Sequence, residues 1–264
     1  MIKENIGTSI LCWEKRDMDM PIKKHGMVAI LDALGAADYD DKEIKIFLQS
    51  RQKVMELLDD KAERIAGRLD FSKVETYTFN DTMLIVLESR DDQPTKDEIE
   101  AFVTLLRKLL VDSLNKRIMF RGSFAIGSFY ADSDSNTILG KAVTDAAAWY
   151  DKADWIGILA TPRTTIFIDL LMERDNKGWG HLLMEYKVPL SDGKCERLWT
   201  VNWPKGFWVD GISPCFSGEK QRGAFLRLLS QFSIPRGTES KHFNTISFFD
   251  HVVNQLKLKN KPVS

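Results

Sequence analysis

The sequence predicts an α+β fold of the ferredoxin-like type, a βαββαβ palm followed by a mixed α/β extension. Three observations carry this reading: an apolar run that stops at Asp32, a hairpin signature whose tip is Asn80-Asp81, and helical periodicity on either side of that hairpin.

Met27 to Leu31 is short, apolar and rich in strand formers, and it ends at Asp32-Ala33-Leu34-Gly35. It reads as a strand with an acidic end. From Asp40 to Leu69, Ile44, Phe47, Leu48, Val54, Leu58, Ala62, Ile65 and Leu69 recur at spacings of three and four, which is helical, and Asp40-Asp41 suits an N-terminus. Val74 to Phe79 and Met83 to Leu87 are β-favouring runs around a pair that tolerates turn geometry. Pro94 is expected to open a second helix whose buried stripe is Ile99, Phe102, Val103, Leu106, Leu109, Leu110 and Leu114. Ile118 to Phe129 reads as a strand, Ala131 to Thr137 as a polar turn, Leu139 to Asp151 as a helix and Trp155 to Ala160 as a strand.

Right-handed crossovers then insert the first strand between the third and the fourth, antiparallel to both. Asp32 therefore faces the hairpin tip with Asp81 and the start of the fourth strand with Arg121. Two carboxylates on one edge repel each other unless a cation lies between them, and Mg²⁺ or Mn²⁺ shared with a polyphosphate meets that demand. Taken singly, a strand-terminal Asp and a turn Asp are common caps and turn formers; their convergence is what points to a site. Gly35 and Ala36 carry little side chain, so the backbone there can approach a polyphosphate closely.

Composition narrows the possibilities. The 264 residues are 44% hydrophobic and carry 37 Lys plus Arg against 38 Asp plus Glu, so the basic excess of a nucleic-acid binder is missing. Cys12, Cys195 and Cys215 offer neither a disulfide framework nor a CxxC pair. His25, His181, His242 and His251 lack zinc spacing, and Ser217 lacks a GxSxG elbow. Charges from Glu14 to Asp19 interrupt any leader-like run, and no stretch reaches the roughly 18 apolar residues of a membrane span, which leads us to expect a cytoplasmic protein.

LDALGA around Asp32, TFND around Asp81, and RGSFAIG followed by ILGKAVTDAAAWYD resemble the class III nucleotidyl cyclase domain over roughly residues 22–165. With KVPL at Lys187 to Leu190 and VNWP at Val201 to Pro204, the chain looks most like the pyrimidine cyclases of bacterial Pycsar anti-phage systems. The resemblance implies conversion of UTP or CTP to a 3',5'-cyclic nucleotide and pyrophosphate, as a second messenger in defence. It implies two Mn²⁺ or Mg²⁺ ions per site on Asp32, Asp81 and the Ala33 carbonyl, and a homodimer, since such enzymes place substrate across two palms.

It also implies departures. Tyr77 stands four residues before Asp81, where purine cyclases carry an adenine-reading lysine, and Thr137 stands at the partner acidic position. The ribose-orienting Asn and the transition-state Arg of many cyclases fall on Thr144 and Ala148, which supply no cation. Arg121 is the replacement that the topology favours; Lys141 reads as a surface charge. Residues 1–21 are expected to be a separate N-terminal segment and 166–264 an extension used in packing or dimerisation. That extension reads as a helix, a hairpin around Ser191-Asp192-Gly193 and further helices ending in one from about Ser240 to Leu258, with Trp199, Trp203 and Trp208 clustered in it. Two other readings stay open: a catalytically silent nucleotide-binding regulator, favoured by the missing Asn/Arg pair, and a purine cyclase. A nucleotide-joining palm lacks its GGDEF-type motif.

Overall fold

A computed structural model describes residues 22–35, 40–69, 74–132, 137–174, 181–209, 221–234 and 236–259. Its centre is β1 (Lys24–Ala33), because the run that the sequence marks as apolar is hydrogen-bonded on both edges. On one side lies β3 (Thr82–Glu88), on the other β4 (Phe120–Asp132), both antiparallel to β1. The hairpin partner β2 (Val74–Phe79) continues outward from β3. The order β2-β3-β1-β4, with α1 (Asp41–Leu69) and α2 (Lys96–Asn115) as the crossovers, is the ferredoxin-like palm expected from the sequence.

Alternation along β1 divides the core in two. Met27, Ala29, Leu31 and Ala33 pack on the face covered by α1 and α2, with Phe102, Leu106 and Phe120. Val28 and Ile30 point to the other face, where they meet Tyr77, Leu84, Val86, Ala125, Phe129 and residues of the short α3 (Lys141–Ala147). Asp32 follows Ile30 by two residues and belongs to this second face.

Several boundaries differ from the sequence expectation. Pro94 precedes the second helix instead of opening it. Thr95 is the N-cap and, with Glu98, makes a complete capping box, so two orphan N–H groups are satisfied without the proline. In α1, Phe47 and Val54 are buried two turns apart, but Ile44 and Leu48 are 41% and 47% exposed, so the buried stripe is narrower than the periodicity suggests. The expected side chains from Leu58 to Leu69 lie outside the described ones. α3 ends at Ala147 instead of Asp151: the Trp149 N–H turns to the Ala146 carbonyl and the Lys152 N–H to the Trp149 carbonyl, tighter bonds of the i to i+3 kind, and the chain leaves the helix there. The expected turn after β4 is a hairpin: β4 continues to Asp132 and pairs with β5 (Thr137–Leu139).

The sheet does not stop with the palm. β6 (Gly157–Ala160) joins β4 in parallel, and the hairpin β7 (Leu183–Pro189) and β8 (Cys195–Val201) extends it through a Leu159–Thr200 pairing. The helix α4 (Pro162–Arg174) spans residue 165, where the extension was expected to begin. One continuous core contains Phe102 and Trp155 together with Trp203 from α5 (Trp203–Val209), Phe225 from α6 (Gln221–Leu229) and Phe248 from α7 (Glu239–Lys259). Trp203 is fully buried against Phe225, Phe248 and Phe249, whereas the half-buried Trp199 donates its indole N–H to Asp169. The Trp208 side chain lies outside the described ones.

Gly122, beside Leu31 in the register, shows how tightly β1 and β4 are paired: a Cβ there would lie 2.3 Å from the Ile30 carbonyl oxygen. That neighbour is backbone and has no rotamer to escape into. Gly122→Ala is therefore expected to cost about 3 kcal/mol, at the upper end for overpacking, as measured by denaturant unfolding.

Candidate active site

The register brings the predicted acids and cation to one edge. Asp32 pairs with Thr82 across β3 and with Arg121 across β4, and the Ala33 N–H donates to the Asp81 carbonyl at 3.3 Å. The end of β1 and the hairpin turn are thus joined by backbone. Asn80 takes φ of 52°, a left-handed conformation that asparagine tolerates, and this lets the turn close.

Arg121 turns back onto its cross-strand partner. Its Nε and one terminal nitrogen donate to the same Asp32 oxygen, at 3.2 and 3.1 Å, and the other terminal nitrogen donates to the Asp151 carbonyl at 2.8 Å. Both side chains of the pair are 18% exposed. Burial pushes the Asp32 carboxyl above the usual carboxylate range; the Arg121 hydrogen bonds and charge pull it down, and the charges of Asp81 and Asp151 push it up again. The Tyr150 hydroxyl is likewise pushed up, first by burial and then by Asp151, Asp32 and Asp81. Tyr150 and Asp151 thus border the edge where Asp32 and Asp81 meet.

A second arginine sits at the turn. Arg51 of α1 donates to the Asn80 carbonyl and lies over the Phe47 ring at 5.9 Å. The sequence reading missed it, since 29 residues separate the partners and a lone arginine in a helix carries no signal.

These residues fit a divalent cation. The donor set is hard oxygen, the Asp32 carboxyl is held against its own burial and two like charges, and a cation would relieve that conflict. Among the described residues no three His, Cys, Asp or Glu side chains form a ready-made cage. Two carboxylates and a carbonyl completed by phosphate oxygens and water are the usual setting for Mg²⁺.

Of the other predicted residues, Gly35 closes the turn after β1 with φ of 81°, and Ala36 lies outside the described residues. Tyr77 occupies the Asp32 face one pleat further from the edge, but it is 2% exposed, and its hydroxyl donates to Glu75 at 2.6 Å. Burial, that hydrogen bond and the charges of Glu75 and Asp132 push the phenol well above its ordinary pKa. Thr137 is exposed and pairs with Asp132, and the carboxylates that act on Tyr77 are Glu75 and Asp132, neither of which the sequence reading singles out. Thr144, Ala148 and Lys141 are exposed on and just beyond α3.

No protein-family model matches the chain, and no curated protein is similar to it. Solved structures are. The adenylyl cyclase CyaB from P. aeruginosa is 13% identical at a TM-score of 0.41, with 69% of this chain and 95% of that chain covered. The catalytic core of a rhodopsin-guanylyl cyclase with converted specificity, in complex with ATPalphaS, is 16% identical at 0.43, with 68% and 97% covered. The guanylyl cyclase Cya2 is 10% identical at 0.40, with 69% and 93% covered. No helix among the described residues is long and apolar enough to cross a membrane.

The Asp32 balance has a measurable consequence. Because its carboxyl titrates above its unfolded value, the folded chain binds that proton more tightly than the unfolded chain does. The resulting stabilisation is present below the unfolded pKa and is lost as pH rises through the folded one. Without divalent ions, Asp32→Asn is therefore expected to melt at or above the wild-type temperature at pH 7, with the difference closing toward acid pH. Melting far below wild type at pH 7 would mean that the Arg121 bond outweighs burial.

Proposed function

We propose that the chain is a nucleotide cyclase acting on a pyrimidine nucleoside triphosphate, UTP or CTP, with the edge at Asp32 and Asp81 as its active site. The observation that carries this reading is the convergence of Asp32, the Asp81 turn and Arg121 on one edge of a ferredoxin-like palm. In sequence these residues stand within the segments that resemble class III cyclases.

In the reaction the ribose 3'-oxygen bonds to the α-phosphorus, the bond from that phosphorus to the bridging oxygen breaks, pyrophosphate departs and the hydroxyl proton passes to solvent. Divalent cations held by Asp32, Asp81 and the Ala33 carbonyl would lower the pKa of the 3'-hydroxyl and neutralise charge on the triphosphate. Asp32 and Asp81 supply the negative charge that gathers those cations, and the Ala33–Asp81 backbone bond keeps strand end and turn at fixed separation. Arg121 holds the Asp32 carboxylate in one orientation through two donors on a single oxygen. Arg51 fixes the Asn80 carbonyl and so the course of the turn that bears Asp81.

Tyr77 stands where the resemblance places base reading, and the pyrimidine reading rests on that resemblance. Its proton is committed to Glu75, so toward a base the phenol oxygen can only accept, as from the N3–H of uracil or the N4–H of cytosine, and the N6–H of adenine is a donor of the same kind. We place the synthesis in defence signalling and the working form as a homodimer on the sequence resemblance alone.

The decisive assay incubates purified chain with each of the four NTPs and Mn²⁺ and identifies products by mass spectrometry. Cyclic UMP or cyclic CMP is expected. Asp81→Ala should lower the rate about a thousandfold or more, since metal charge stabilisation contributes several kcal/mol. A cyclic purine product would reassign the base specificity. Triphosphate binding without turnover would favour a silent regulator, the reading to which the uncharged, exposed Thr144 and Ala148 lend support.

Tyr77→Phe removes the acceptor. The kcat/KM for the preferred triphosphate is expected to fall about tenfold, the worth of one hydrogen bond to the base. An unchanged kcat/KM would remove Tyr77 from base binding.

A further inference from the structure

We propose that the C-terminal third of the chain, through Asn244 and Ser191, is the positioning device for Arg121. Arg121 meets Asp32 with two nitrogens, but its third bond goes to the carbonyl of Asp151, in the segment that links α3 to β6. That segment is irregular. Its first residues are tied to α3 and the turn after it, the Tyr150 N–H donating to Ala146 and the Lys152 N–H to Trp149, and the rest is held from outside the palm.

Three attachments hold it. At the β7–β8 turn, Ser191 donates both its N–H and its hydroxyl to the Lys152 carbonyl, at 2.8 and 3.0 Å, the Asp154 N–H donates to Pro189 at 2.9 Å, and Ala153 bridges to Leu190. From α7, the Asn244 amide donates to the Asp154 carbonyl at 2.7 Å and to its carboxylate at 3.1 Å, and Thr245 accepts the Ile156 N–H at 2.8 Å. Between them Trp155 is fully buried, stacked on Tyr186 of β7 at 5.5 Å and edge-on to Phe248 of α7 at 4.6 Å.

The carbonyl that steers the guanidinium is thus held between α3 and the attachments made by Tyr186, Ser191, Asn244, Thr245 and Phe248. Were the segment to shift by about 1 Å, the Asp151 bond would lengthen beyond hydrogen-bond range and Arg121 would lose one of its three anchors, a displacement large enough to matter in catalysis. The extension on this account is part of the site's geometry and not only a packing surface. The proposal rests on the cyclase reading only in giving Arg121 a part in turnover.

The test uses the full chain and its Asn244→Ala, Ser191→Ala and Arg121→Ala variants, with Asn244→Ala/Arg121→Ala as a double variant. The ¹⁵N-detected Arg121 Nε–H signal, assigned through its loss in Arg121→Ala, reads whether the guanidinium stays fixed on Asp32 when the Asp151 anchor of its terminal nitrogen is loosened, and needs no turnover. Its solvent exchange is expected to accelerate about tenfold in Asn244→Ala, the equivalent of one net hydrogen bond. Ser191→Ala, which keeps its backbone N–H bond, should act in the same direction more weakly and serves if Asn244→Ala fails to fold. In turnover, Asn244→Ala should lower kcat with little change in the KM for triphosphate, and should add nothing once Arg121 is alanine.

An Arg121 Nε–H signal indifferent to both variants would overturn the proposal, as would losses that add in the double variant. If the wild type turns over no NTP while the signal still responds, the cyclase reading fails and the positioning role stands.

Discussion

The site depends on the double antiparallel pairing of β1. A strand held on both edges cannot slip, and because side chains alternate, a one-residue slip would send every β1 side chain to the opposite face. The register is further pinned where glycines let backbones touch: a Cβ on Gly122 would meet the Ile30 carbonyl, and one on Gly26 would lie 2.1 Å from the Leu87 carbonyl. With that register fixed, Asp32 must share a face with Val28, Ile30 and Tyr77, and it must lie opposite Arg121. Neither the site's composition nor its location is then adjustable without unpairing the sheet.

Charge at this edge is arranged against stability. The charges of Asp81 and Asp151 raise the cost of ionising Asp32, and burial adds the largest share. Two arginines answer from different elements, Arg121 through the Asp32 carboxylate and Arg51 through the turn carbonyl at Asn80. Their geometries differ in consequence. Arg121 acts on charge and orientation together, while Arg51 acts on backbone alone. A chain selected only for stability would neutralise Asp32, and its acidity is the observation on which the active-site proposal leans.

Legibility in the sequence followed the range of the interaction. β1, the hairpin and the α2 stripe were readable because alternation and 3.6-residue periodicity are local, and every residue predicted for the α2 stripe is buried. Strand order followed from handedness, which supplied the Asp32, Asp81 and Arg121 convergence before any coordinates. What failed was decided elsewhere in the chain. Ile44 and Leu48 of α1 obey helical spacing yet are 41% and 47% exposed, and α3 gives way to tighter turns after Ala147, which helical spacing does not foretell. Arg51 with Asn80 and Asn244 with Asp154 are pairs separated by 29 and 90 residues. No short-range pattern encodes such partners.

Tyr77 shows why a position and a role are different things. Its register to Asp81 places it on the site's face, as the spacing of four suggested, yet its ring is packed among Val28, Ile30 and Phe129 and its hydroxyl is spoken for by Glu75. A lysine at such a position would bring a mobile cation with three donors; the phenol brings a fixed oxygen with lone pairs only. Discrimination by a fixed acceptor works chiefly through what it leaves unsatisfied. A base that turns an acceptor toward Tyr77 would bury two facing lone pairs, and that penalty, more than any attraction to the right base, is what such a site has to offer for selectivity.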